Sequence, residues 1–421
     1  MSLDVRLFGM AGSQWYLELG GTPPNDFVCC KQETSLDCRQ ADNTGKRNRS
    51  VRFAFFRRYG PQLTYLSFSR PRSYMKFGII GAGMIGRYHA QAIREMEGGD
   101  LHSVFNLRQA GAEKLAAEAG AKAYWDLEAF LSDSALDIVT VCTPSGAHLD
   151  PVLAALKAGK HVICEKPLEI TPERIDLMIS TAAANGVTLT AILNRRFHPA
   201  MDYFKAAVNS GRFGTITSAS CYVKWWRSQE YYDSGAWRGT WELDGGGALM
   251  NQSIHTIDGL LYLAGPVKAV TARTSLLAHE RIEVEDSAVA LVEFESGALG
   301  VIEGSTACWS STGHAAEIQV CGTSGSAYLA DEAFRVWDFA DNAPVDDYIR
   351  QHLMSTPVKG LGANNPSTIN ATGHIRNFEE AVSAIRENRV STVDAAEARK
   401  AVAVICAIYE SAKAGGKRVT L

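Results

Sequence analysis

A glycine triplet between a strand and a helix constrains this chain more than any other feature. Gly81-Ala82-Gly83-Met84-Ile85-Gly86 follows the strand-like Lys76-Phe77-Gly78-Ile79-Ile80 and leads into an apolar-striped stretch over 84–96. Glycines so placed let the chain turn tightly, bring backbone N–H groups up to a pyrophosphate and aim a helix N-terminus at it. Glycine turns occur in many strand-to-helix connections, so the triplet counts because of its flanks. Further on, Glu165-Lys166-Pro167 closes another apolar run. Together the two features point to a dinucleotide-dependent oxidoreductase.

From Met75 short apolar strands alternate with amphipathic helices. Strands are expected at 77–80, 101–106, 138–142, 161–164 and 188–193, with helices at 84–96, 112–119, 150–158 and 172–185. This is the pattern of right-handed crossovers that build a parallel sheet. Ligands of such sheets lie beyond the carboxyl ends of the strands. Asn106, Thr143-Pro144, Glu165-Lys166-Pro167 and Asn194-Arg195-Arg196 stand at those ends. After Arg196 the texture changes to longer alternating strands, at 216–226, 269–275, 288–295, 300–308, 316–321 and 327–329, which read as antiparallel sheet. Helices over 375–387 and 395–412 close the chain. The expected fold class is α/β: a Rossmann domain, doubly wound and parallel, over 75–195, and a second α/β domain with a mainly antiparallel sheet over 196–421.

Length permits both domains, because single cores stop growing at roughly 250 to 300 residues. The net charge of −4 divides unevenly, with 11 Lys+Arg against 6 Asp+Glu up to residue 74 and 31 against 40 after it. An acidic body argues against nucleic acid as the main partner. Cysteines scattered through apolar settings without a Cys-x-x-Cys pair read as buried thiols of a reducing compartment, hence the cytoplasm. No run approaches the roughly 18 to 20 apolar residues of a membrane span. Residues 1–74 lack a sustained period and end in a basic stretch; the expectation is an extension outside the catalytic fold, with Met75 the natural start and a cleaved targeting signal the alternative.

These motifs, with Gly245-Gly246-Gly247-Ala248-Leu249-Met250-Asn251-Gln252-Ser253-Ile254-His255-Thr256-Ile257-Asp258 and with His148 downstream of Thr143-Pro144, make residues 75–421 resemble the glucose-fructose oxidoreductase / inositol dehydrogenase family. The resemblance implies a nicotinamide cofactor held by Gly81, Gly83, Met84, Ile85, Gly86, Thr143, Pro144, His148, Glu165, Lys166 and Asn194. It also implies an open second sheet that assembles homodimers or homotetramers, and a carbohydrate or cyclitol substrate between the domains. Lys166 is implied beside the nicotinamide, where an ammonium stabilises alkoxide charge. His255 is implied to face the hydroxyl being oxidised, as proton acceptor.

The commoner family pattern has aspartate four residues before the histidine; here Asn251 stands there, able to orient substrate but not to titrate. Subsets with asparagine include dehydrogenases acting at C3 of nucleotide-linked uronic acids. Asp258 is expected either to orient the His255 ring or to lie on the helix surface. At the end of the second strand the ribose-binding acid is replaced by Asn106, with Arg108 nearby, which favours NADP slightly over NAD. Tyr222, Trp225, Trp226, Tyr231, Tyr232, Trp237 and Trp241 suit either a sugar face or an interface and core. Trp237, Arg238 and Arg196 join Asn251 as expected substrate contacts, Arg227 being a further possible contact to an anionic group. No metal is expected, since no histidine pair or cysteine cluster has ligand spacing. Two alternatives share the resemblance: a glycosidase with transient C3 oxidation, and a cofactor-binding regulator without activity.

Overall fold

Hydrophobic runs too short for helices form the strands of two sheets, and the amphipathic segments between them cover the sheets' faces. The computed structural model describes residues 74–354 and 372–421 in full, together with the backbone of short strands between residues 5 and 67. Chain contacts separate two units, Met1–Pro71 and Arg72–Leu421. In the first, β1 (Val5–Met10) pairs with β2 (Trp15–Leu19), β3 (Ala54–Phe55) with β6 (Leu66–Ser67), and β4 (Arg58–Tyr59) with β5 (Gln62–Leu63), all antiparallel. The expectation for the rest of residues 1–73 lies outside the described residues.

The second unit begins with a parallel sheet of β7 (Met75–Ile80), β8 (Gly99–Phe105), β9 (Lys122–Tyr124), β10 (Ile138–Val141), β11 (His161–Cys164) and β12 (Leu189–Ala191). The order is β12-β11-β10-β7-β8-β9, with every neighbouring pair parallel. Strand order reverses at β7, with β8 and β9 laid down on one side and β10 to β12 on the other, which creates a switch-point crevice at the carboxyl ends. All four residues of β10 are buried, as a strand covered on both faces requires. The glycine turn is sterically committed: Gly81 sits at φ +105°. A Cβ on Gly86 would collide with the Gly81 carbonyl oxygen, so the helix Met84–Glu95 can pack this close only without one.

The second sheet runs β19 (Ala333–Phe339), β18 (Gly325–Ala330), β17 (Glu317–Gly322), β13 (Ile216–Lys224), β16 (Leu299–Ser305), β15 (Ser287–Phe294), β14 (Val267–Ser275) and β20 (Val419–Thr420). Only its β13–β16 pair is parallel. Ile257, Leu260 and Leu263 of the helix Ile254–Ala264 and Val402, Ile405 and Ile408 of the helix Ala395–Lys413 share one core with inward residues of this sheet, among them Val270, Val292, Ile302 and Val320. The latter helix starts where Asp394 accepts the Glu397 N–H, an N-terminal cap. The opposite face is open, with Val289, Leu291 and Leu299 exposed.

One helix lies elsewhere than its place in the sequence suggests. Thr372–Glu387 packs Phe378, Ala381 and Val382 against Phe77, Ile79 and Ile93 of the first sheet's layer. Asn377 fixes it there, accepting the Leu193 N–H at 2.9 Å and donating to the Ala191 carbonyl at 3.2 Å. The strands β9 and β19 are absent from the sequence expectation, β9 having three residues and β19 mixing charges with aromatics. No helix among the described residues is long and apolar enough to cross a membrane.

Replacing Gly86 by Ala is expected to cost about 1–3 kcal/mol in urea unfolding, the range for overpacking, and to weaken dinucleotide binding. Unchanged stability and affinity would show that the turn has room for a methyl group at this position.

Candidate active site

The carboxyl ends of β7, β8, β10 and β11 form one wall of a cavity of about 1040 Å³. Gly81, Gly83, Met84, Ile85, Asn106, Arg108, Thr143, Pro144, Glu165, Lys166 and Asn194 line it, as do Asn251, His255, Trp237 and Arg238 from beyond β13. Most of the residues singled out in the sequence therefore meet in a single cleft. A Cβ on Gly83 would touch nothing within 4 Å, so the turn presents bare backbone to open space, a cradle suited to a pyrophosphate. Asn106 braces this turn: its Oδ1 accepts the Ala82 N–H at 3.3 Å and its Nδ2 donates to the Arg108 carbonyl at 2.9 Å.

Lys166 reaches across the cleft and donates from Nζ to the main-chain carbonyl of Asn251 at 2.7 Å. Burial pulls its ammonium below the ordinary lysine value of 10.5, opposed by the negative charges of Glu165 and Asp244. Glu165 is itself buried, and its Oε2 accepts the Lys166 N–H at 3.0 Å. Its Oε1 lies 2.8 Å from His89 Nε2 and 3.6 Å from His374 Nε2. Burial alone would raise this carboxyl, yet the two imidazoles hold it well below the usual carboxylate range. His89, Glu165 and His374 offer three ligand-type atoms within 4.8 Å of one another, a clustering that sequence spacing could not reveal. The His89–Glu165 distance is that of an imidazole N–H donating to a carboxylate.

Asn251 and His255 lie on one continuous helical segment that begins with a π turn, Ala248–Ser253, and continues as Ile254–Ala264. Glu285 holds the start of that turn: its carboxylate accepts N–H bonds from Gly247 at 3.0 Å and Leu249 at 2.9 Å, and its main-chain carbonyl accepts from Ala248. These are the donors a helix start leaves without internal partners. Tyr409 Oη donates to the same carboxylate at 2.9 Å. The His255 ring has a buried Nδ1 with no hydrogen-bond partner among the described residues. Burial, then the nearby positive charges of Lys166 and Arg195, push this imidazole well below 6.5. It is neutral at neutral pH and free to accept a proton.

Four expectations are corrected. Arg196 is not at the cleft: it is buried in a two-pronged ion pair with Asp258, at 2.8 and 2.6 Å, and also meets Glu397. Asp258 is thereby neither an orienter of His255 nor on the surface, since it is 2% exposed and committed to Arg196. His148 lies behind the wall, its ring nitrogens 2.9 Å from the Pro167 and Thr143 carbonyls, and braces the two strand-end turns against each other. Gly86 likewise acts beneath the turn by close packing and does not line the cavity.

The aromatic cluster divides. Trp225, Tyr231 and Trp237 line the cavity. Tyr232 is buried with its Oη on Thr306 Oγ1 at 2.8 Å, and Trp241 packs on Tyr409. Arg238 stands 4.4 and 4.7 Å from the ring centres of Tyr231 and Trp237 and donates to Tyr231 Oη at 2.7 Å. Arg195, Arg227, Gln252 and His374 also line the cavity. Gln252 and Arg195 adjoin residues already singled out, whereas His374 comes from the distant closing helix and carries no local signal.

Residues 75–192 match the family described as "Oxidoreductase family, NAD-binding Rossmann fold", and residues 201–328 match "GFO/IDH/MocA C-terminal domain". The chain is 31% identical to a myo-inositol 2-dehydrogenase of Thermotoga maritima over 264 residues, covering 60% of this chain and 75% of that enzyme. It is 28% identical to a D-glucoside 3-dehydrogenase of Escherichia coli over 361 residues, 81% of this chain and 96% of that one. Among solved structures, the WlbA dehydrogenase of Bordetella pertussis in complex with NADH and UDP-GlcNAcA superposes with a TM-score of 0.75 at 31% identity, over 83% of this chain and 98% of that one.

Burial pushes the Glu285 carboxyl up to about 7 although three donors favour its charged form. The unfolded chain releases this proton near the ordinary 4.5 while the folded chain keeps it to about 7. The associated stability is fully present below the lower value and lost as pH rises through the upper one. Between about pH 5 and pH 7.5, wild type is expected to lose about 2 kcal/mol in urea unfolding that a Glu285→Gln variant does not lose. Equal pH slopes in the two proteins would contradict this.

Proposed function

The chain belongs to the Gfo/Idh/MocA family of oxidoreductases, and from that premise we propose that Lys166 and His255 act together on one hydroxyl of a sugar, sugar derivative or cyclitol. The enzyme is an NAD(P)-dependent dehydrogenase acting on a CH–OH group. The observation that carries the residue assignment is the reach of Lys166 Nζ to the Asn251 carbonyl, which sets the ammonium on the helical segment that bears His255.

Bound nicotinamide supplies the hydride acceptor, or the donor in the reverse direction. The bare backbone of the 81–86 turn would hold its pyrophosphate, with Thr143, Pro144, Glu165 and Asn194 along the same wall. The neutral His255 imidazole, half-buried in the cavity wall, takes the hydroxyl proton. The Lys166 ammonium donates a hydrogen bond to the reacting oxygen and stabilises its developing negative charge. Asn251 orients the sugar, Trp237 offers an aromatic face to its C–H groups, and Arg238 meets an anionic substituent.

With Asn106 spent on bracing the glycine turn, Arg108 is the side chain left to meet the adenosine ribose end. This supports a slight preference for NADP over NAD. The exposed Val289, Leu291 and Leu299 support assembly into homodimers or homotetramers through the open sheet face. The unpaired cysteines among the described residues, Cys142, Cys164, Cys221, Cys308, Cys321 and Cys406, support a reducing, cytoplasmic setting.

Lys166→Ala is expected to lower kcat by about 10²–10³-fold, with dinucleotide affinity little changed, when reduced cofactor is followed on cyclitols, glucosides and nucleotide-linked uronic acids. Turnover at the wild-type level would remove Lys166 from the chemistry. Comparing kcat/KM for the two dinucleotides should favour NADP modestly, and Arg108→Ala should erase the difference; a strong NAD preference in wild type would end the Arg108 reading.

A further inference from the structure

Asp244 lies behind the cleft, 2% exposed, and the reading above gives it no role. Its Oδ2 accepts the Gly239 N–H at 2.8 Å, and its Oδ1 receives a short hydrogen bond from Asn251 Nδ2. An ionised carboxylate only accepts, so the Asn251 amide must turn its NH₂ toward Asp244. Asn251 Oδ1 then faces Gln252 Nε2 at 2.7 Å. With that NH₂ so placed, Gln252 Oε1 is left to accept from Arg227 Nη2 at 2.8 Å. The Gln252 NH₂ also reaches Tyr231 Oη at 3.0 Å. Each bond in this series has one allowed polarity, set at one end by Asp244, which only accepts, and at the other by Arg227, which only donates.

We infer that Asp244 is a positioning residue: it fixes the Asn251 amide, and so which polar atom Asn251 turns to its neighbours in the substrate wall, and it places a negative charge behind Lys166. The inference rests on the redox reading of the cleft and deepens it. The charges facing Lys166 are Glu165 from its own strand end, Asp244 from the loop before the π turn, and Arg227 and Arg238 from the segment after β13. His255 is the titratable ring of the facing helix. Of these groups only Glu165 and Asp244 favour the ammonium. Burial raises the Asp244 carboxyl, while the Gly239 N–H, the Asn251 amide and the Lys166 charge oppose that rise.

Asp244→Asn tests the inference, because an amide satisfies one of the two donors and turns its own NH₂ against the other. The expected result is a fall in kcat of about 10- to 100-fold, with dinucleotide KM nearly unchanged. The alkaline limb of the kcat profile, set by loss of the Lys166 proton, should move to lower pH by about one unit. Asn251→Ala keeps the Asp244 charge and should lower kcat while leaving that limb in place. A merely structural aspartate would lower the yield of folded enzyme without moving the limb. The inference falls if Asp244→Asn retains wild-type kcat and limb, or if its loss adds in full to that of Asn251→Ala in the double variant. Should Asp244→Asn not fold, wild-type turnover by Asn251→Ala alone would overturn it. Failure here with Lys166→Ala inactive would leave the redox reading intact, whereas active Lys166→Ala would overturn that reading first.

Discussion

The hydrogen bond from Lys166 Nζ to the Asn251 carbonyl joins the end of a parallel strand to the first turn of the helix that carries His255. The two partners are 85 residues apart in sequence, and nothing local brings them together. The parallel sheet delivers Lys166 because ligand-facing residues of such sheets stand at carboxyl ends. The Glu285 carboxylate delivers Asn251 by accepting the N–H groups at the head of the π turn. Each end of the bond is thus held by a buried acid, Glu165 behind Lys166 and Glu285 behind the turn.

Placing so many ionisable groups out of water is costly unless each is paired or neutral. The cleft uses both solutions. Glu165 remains charged because two imidazoles and a backbone N–H answer its oxygens. His255 remains neutral because burial and adjacent cations oppose protonation, which is the state a proton acceptor requires. Glu285 sits between these cases, its carboxyl raised to about 7 despite three donors. The Arg196–Asp258 pair does the same work for the scaffold, tying the turn after β12 to the helix Ile254–Ala264.

Signals confined to a few neighbouring residues were legible in the sequence. Gly81, Gly83, Met84 and Ile85 of the glycine turn and the strand-end Glu165 and Lys166 line the cavity, because strand ends and close turns impose local residue choices. What failed depended on distant partners. Arg196 adjoins Arg195, but the fold turns one guanidinium to the cleft and the other to Asp258. His148 resembled a cofactor contact by its position after Thr143-Pro144, yet its ring serves two carbonyls behind the wall. The π turn has no composition signature, since its cause is Glu285, which comes later in the chain. His89 and His374 gain meaning only once three remote segments converge on Glu165.

The most direct test is a crystal structure of the enzyme with oxidised dinucleotide and a sugar substrate. The account predicts a nicotinamide ring lodged between the Lys166 ammonium and the His255 imidazole, with one substrate hydroxyl hydrogen-bonded to both. A ring bound elsewhere in the cavity, or a hydroxyl out of reach of either group, would contradict it.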